Sequence, residues 1–181
     1  MRTPCQRRLL GDSGFLARLE QARTLADTAI PDTLLAIYGE VYGRGVGAAA
    51  KNYTTSDKVG FRVFDAFQIP LQTVMEHLEI PAERIAVWRE KSGQPFMDVS
   101  ALDTLTHERG LERVPTHGVF AAAVMPRSVG EADAFLAPFA KTLAPLDAGA
   151  VGQAEGIVVR SRDRLQIAKL RFEDYRRTLK H

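Results

Sequence analysis

The chain is short of the residues that most often announce a chemistry. It holds one cysteine, Cys5, which excludes an internal disulfide and any zinc site built from several thiolates. Its four histidines, His77, His107, His117 and His181, have no metal-ligand spacing. No apolar run approaches the roughly 20 residues of a membrane-spanning helix, so no membrane partner is expected. The opening "MRTPCQRRLL" carries basic residues but no apolar core or small-residue cleavage site of a secretory signal. With a lone thiol, a reducing cytoplasm is the expected setting. The G-x-S-x-G elbow and the H-E-x-x-H zinc pair are both missing. So are internal repeats, low-complexity tracts and a recognisable linker, and 181 residues suit a single domain. A net charge of +2 is too small to argue for nucleic acid by itself.

Hydrophobic periodicity organises what remains. Phe15, Leu16, Leu19, Ala22, Leu25 and Ala26 fall near a 3.6-residue period and predict a helix over 12–27. "TLLAIYGEVYG" and "VGFRVFDAFQI" read as strands. The glycine- and alanine-rich "RGVGAAAKNYTTSDK" between them reads as a loop. "LQTVMEHLEI" is expected as a short helix after Pro70, and "RIAVWRE" as a strand. "SALDTLTHERG" is expected as a helix capped by Ser100 and stopped by Gly110. "VPTHGVFAAAVMP" fits either a buried strand or a short helix. "SVGEADAFLAPFAKTLAPL" predicts a helix bent at Pro138, with Leu143 on its apolar face. Two strands, "GIVVR" and "IAKLRF", and a short basic helix close the chain. Strands and helices mix without strict alternation, so the expected class is α+β.

The glycines of "YGRGVG" lack the Gly-Lys-Ser/Thr ending of a phosphate-binding P-loop, and a plain connection is the better reading. Other stretches carry more. Period-2 alternation puts Glu40 on a strand face with Tyr38 and Tyr42, and turns Phe64 away from Asp65. Lys169 and Arg171, two apart, share a face. On a buried face such like charges repel and are costly to desolvate, and a polyanion between them would reverse that. A carboxylate on a neighbouring strand can hold a divalent cation bridging the same anion. An aromatic face offers a base a stacking surface.

In this order, "GEVYG", "FRVFDAF", "EGIVVR" and "AKLRFEDY" resemble motifs III, IIIa, IV and V of the ATP-dependent RNA ligases, within the covalent nucleotidyltransferase superfamily, and they span 37–175. The resemblance implies an ATP-grasp-like adenylylation fold of antiparallel sheets flanked by helices. It implies ATP and Mg2+ or Mn2+ as cofactors, and RNA with 5′-phosphate and 3′-hydroxyl ends as partner, with DNA left open. In that family a lysine takes AMP from ATP, AMP passes to the 5′-phosphate, and the 3′-hydroxyl displaces it. The resemblance assigns ribose binding to Glu40, adenine stacking to Phe64, metal binding to Glu155 and α-phosphate contact to Lys169. Arg171 stands where many members have a second lysine. Asp65 is expected to fix local backbone.

The sequence departs from the family at its nucleophile. No K-x-D-G or K-x-H-G precedes "GEVYG", and the first lysine is Lys51. The segment 1–21 resembles the stretch between motif I and motif III, with Arg2, Arg7 and Arg8 as candidates for a 5′-phosphate contact. The expectation is a single ligase domain, N-terminally incomplete, unable to complete the first step. The alternative is a catalytically inactive nucleotide- or RNA-binding protein on the same scaffold.

Overall fold

In a computed structural model, which describes residues 32–91, 95–150, 152–162 and 166–179, the first β-forming run becomes strand β1, Thr33–Gly43. The second becomes β2, Val59–Pro70, and the two pair in an antiparallel sheet. The helix expected over 12–27 and the arginines at 2, 7 and 8 lie outside the described residues. The chain divides into two compact units, Met1–Val41 with Phe61–Val114, and Tyr42–Gly60 with Pro115–His181.

The core of the first unit forms where β2 meets helix α3, Val99–Glu108. Val63, Ala66 and Leu102 are fully buried there, with Leu35, Ile37, Phe61, Met97 and Leu111 packed around them. Extended backbone continues the pairing of β2. The Val63 amide donates to Glu112 O at 2.8 Å, Val114 donates to Val63 O at 2.9 Å, and Met97 donates to Ala66 O at 2.9 Å. These bonds satisfy polar backbone that burial would otherwise leave unpaired.

Helix α1, Leu71–Leu78, follows Pro70 as expected. The next segment does not: "RIAVWRE" lies within helix α2, Ala82–Glu90, rather than in a strand. Pro81 supplies the start, with its carbonyl accepting from the Arg84 amide at 2.9 Å. Ile85 and Trp88, three apart, are half-buried, while Val87 is exposed. That is helical spacing, and a strand would have grouped Val87 with Ile85. The cap of α3 is Asp98 rather than Ser100: its Oδ1 accepts from the Ala101 amide at 2.8 Å, which leaves Ser100 inside the first turn. Gly110 ends α3 as predicted, with a φ of 59° that suits glycine.

In the second unit the expected loop contains a short 3-10 turn, Ala48–Asn52. "VPTHGVFAAAVMP" is neither strand nor α-helix, and only Ala122–Val124 turns, as 3-10. Helix α4, Val129–Leu136, is capped by Ser128 Oγ, which accepts from the Glu131 amide at 3.2 Å. Glu131 Oε2 reaches back to the Arg127 amide at 2.7 Å. Pro138 converts the next turn to 3-10, Ala137–Phe139, and Leu143 beyond it is exposed rather than on the apolar face. Strands β3, Gly156–Arg160, and β4, Ile167–Arg171, pair antiparallel with Gly156 opposite Arg171 and Val158 opposite Lys169. Helix α5, Phe172–Leu179, packs against α4, where Ala132, Leu136 and Phe172 are buried. The expected α+β class is thus met by two small sheets with helices about them.

Candidate functional site

Exposed Tyr38 of β1 and Phe64 of β2, with half-buried Phe67 and Phe96 beside Tyr38, make an aromatic cluster in the first unit. The Tyr38 ring lies with its centroid 6.5 Å from Phe64, 5.8 Å from Phe67 and 6.0 Å from Phe96. Phe64 is 41% exposed although Val63 and Asp65 on either side of it are buried. Two residues beyond Tyr38, Glu40 is also exposed. The face stops there. Tyr42, expected to share it, is buried with its ring 5.1 Å from Tyr53. Asp65 Oδ1 accepts from the Ala66 amide at 3.2 Å, a bond to local backbone of the kind its phase along the strand suggested.

The charged residues of the resemblance stand in the second unit, on β3, β4 and their flanks. Register and alternation put Val158, Arg160, Ile167, Lys169 and Arg171 on one face of the hairpin. This face is open to water rather than buried. The Lys169 side chain is 56% exposed and that of Arg171 42%. A two-stranded hairpin has too little sheet to cover both sides, so its charges stay in water. Nor do the two cations wait for a shared anion. Lys169 Nζ lies 3.9 Å from Glu155 Oε2. Arg171 grips Asp174 with two hydrogen bonds, Nε to Oδ2 at 2.9 Å and Nη2 to Oδ1 at 3.1 Å, and its Nη1 is 3.4 Å from Glu173. The hydrogen bond to Asp174, then the charge of Asp174, raise the Arg171 pKa above its ordinary value, so the guanidinium stays charged.

The five site residues therefore fall into two groups. Glu40 and Phe64 belong to the first unit, and Glu155, Lys169 and Arg171 to the second. Within the groups, Phe64 is joined by Tyr38, Lys169 by Glu155, and Arg171 by the start of α5. Among the described residues, no three His, Cys, Asp or Glu side chains gather as a metal cage.

A further polar cluster escaped the sequence reading. Asp147 accepts from Thr54 Oγ1 at 2.5 Å, the Thr55 amide at 3.0 Å, Thr55 Oγ1 at 3.0 Å and Ser56 Oγ at 3.1 Å. Thr54 contributes most to holding this carboxyl well below the usual carboxylate range. The Leu146 amide donates to Tyr53 O at 2.7 Å, so the whole segment 53–56 is tied down. No local pattern announces this, because the partners are about ninety residues apart. The threonines and serine alone read as loop composition.

No family model, curated protein or solved structure matches the chain.

Proposed function

We propose that this chain is a nucleotide-binding ligase domain of the ATP-dependent RNA ligase type. The step its residues would serve is the sealing of RNA ends that already carry AMP. The observation that carries the reading is Phe64. Its ring is 41% exposed between buried Val63 and Asp65, and the exposed Tyr38 ring beside it widens the flat surface open to a base. Adenine stacked there would gain about 1–3 kcal/mol. Exposed Glu40 supplies an acceptor for ribose hydroxyls two residues from Tyr38.

In the second unit, taken by itself, Lys169 offers a contact for phosphate. Its pairing with Glu155 is long and half in water, worth roughly 0–1 kcal/mol, so a phosphate competes with it readily. Glu155 fits Mg2+ only as one protein oxygen among several ligands, the usual arrangement for an ion that arrives on substrate phosphates. Bound there, the ion would neutralise phosphate charge. Arg171 is committed to Asp174 and Glu173, which leaves Lys169 as the cation open to the phosphate. The sealing step needs positive charge: the 3′-hydroxyl attacks the adenylylated 5′-phosphate and gives its proton to water, the phosphoanhydride P–O bond breaks as the phosphodiester forms, and AMP leaves with the electron pair.

A second reading, binding without catalysis, is favoured by the pairing of Lys169 and of Arg171 with carboxylates of the chain itself. One set of assays separates the two. Labelled ATP with magnesium, followed by denaturing electrophoresis, is expected to leave no labelled protein band. Folded protein is expected to seal a pre-adenylylated RNA end to a 3′-hydroxyl. ATP binding without sealing selects the binding reading. Neither binding nor sealing overturns the family assignment.

A further inference from the structure

The loop between β1 and β2 encloses an open cavity of about 520 Å³ in the second unit. Arg44 and Lys51 line it with Gly45, Ala48, Ala50 and Thr55. The small residues keep the space open, and the two long ones bring positive charge to it. We propose that this cavity is an oxyanion site, selective for phosphate or a phosphoryl group. The inference does not depend on the ligase reading, because none of Glu40, Phe64, Glu155 or Lys169 lines the cavity.

The two cations are available to a ligand. Lys51 is exposed and has no ion-pair partner among the described residues. Arg44 has one partner, Asp57, 3.5 Å from Nε, with side chains 59% and 87% exposed. A pair so open to water is weakly held. It engages Nε, and neither Nη of Arg44 donates a hydrogen bond among the described residues, which leaves the planar end of the guanidinium for a forked contact with phosphate oxygens. Lys51 adds a compact charge on the same cavity.

The scaffold is set before any ligand arrives. Asp147 fixes Thr54, Thr55 and Ser56 at the end of the loop. At its start the Arg44 amide donates to Lys58 O at 2.9 Å and the Val46 amide to Gly43 O at 3.0 Å. Gly45 and Gly47 turn the chain between them with φ of 79° and 71°, a region that side chains disfavour. The threonine hydroxyls are committed to Asp147, so affinity must come from Arg44 and Lys51. Asp147 accepts from four neutral donors and keeps its negative charge, so the two cations have to outweigh it. Rigid walls lower the ordering cost of binding.

The test is a titration of the full chain with inorganic phosphate, followed by amide chemical shifts, at ionic strength held constant with chloride. Saturable shifts are expected at Gly45, Lys51 and Thr55. The double variant Arg44→Gln, Lys51→Gln should weaken binding at least about tenfold, while Arg89→Gln, an exposed charge on α2, should not change it. Thermal unfolding of each variant checks that the fold is kept. ATP and a 5′-phosphorylated oligonucleotide then compete with phosphate. Stronger competition by ATP assigns the site to a nucleotide, and stronger, steeply salt-dependent competition by the oligonucleotide assigns it to a nucleic-acid backbone. Shifts matched by chloride, or unchanged in the folded double variant, overturn the proposal.

Discussion

Two neighbouring residues of β2 should respond to substitution in opposite ways. Val63 is fully buried in the core against Leu102 and Leu105. Val63→Ala removes two methyl groups, worth about 1.6 kcal/mol in transfer alone, and the remaining cavity brings the cost to about 2–3 kcal/mol. For a chain of 181 residues this lowers Tm by roughly 5–10 °C. Phe64→Leu keeps an apolar side chain but loses the ring. With 41% of Phe64 already exposed, the stability cost should stay under about 1.5 kcal/mol, including the loss of its contact with Tyr38. Binding is where the second change should register. Losing about 1–3 kcal/mol of stacking raises Kd for ATP about 5- to 150-fold. Scanning calorimetry and isothermal titration of the wild type and both variants supply the numbers. Wild-type affinity for ATP in Phe64→Leu would refute the stacking role. A Tm loss in Phe64→Leu as large as in Val63→Ala would refute the placing of the Phe64 ring outside the core.

Lys169→Gln should change stability by less than about 1 kcal/mol, since its ion pair with Glu155 is half-exposed, yet it should weaken ATP binding several-fold; denaturant melts and titration check both halves. Asp147 has a folded pKa below its unfolded value of about 3.9, so its stabilising contribution is complete above that pH and lost as pH falls toward the folded value. Acid titrations of Tm should therefore fall more steeply below about pH 4 in the wild type than in Asp147→Asn. A Cβ on Gly156 would lie 1.9 Å from Leu170 O, so Gly156→Ala should open the β3–β4 hairpin, seen as lost amide-exchange protection at 157–160 and 168–171.

Alternation and apolar runs made β1, β2, β3 and β4 legible, because each is a local pattern with one extended solution. Helix α2 was not, because isoleucine, valine and tryptophan favour strands by type, and only the position of Pro81 as a helix opener argues otherwise. The phase of Phe64 and Asp65 was readable from the sequence, and so was the shared side of Lys169 and Arg171. Their exposure was not, since alternation tells which residues share a face and says nothing of whether a neighbour covers it. Arg171 was read beside Lys169, but it is held by carboxylates one turn along α5, whose start directly after β4 brings them within reach. Arg44 and Lys51 were passed over because the loop lacks a P-loop ending, whereas the cavity they share is made by the fold of the loop as a whole.

The second unit is assembled from two separate lengths of chain, one of them an excursion of the β1–β2 hairpin. Cutting a gene at the boundary after Val114 would not yield two self-sufficient fragments: the downstream piece would begin without Thr54 and leave Asp147 and Leu146 facing water. Synthesis imposes the same order in time. Thr54 is added to the chain 93 residues before its carboxylate partner, so this half of the protein can close only after most of the chain has been made.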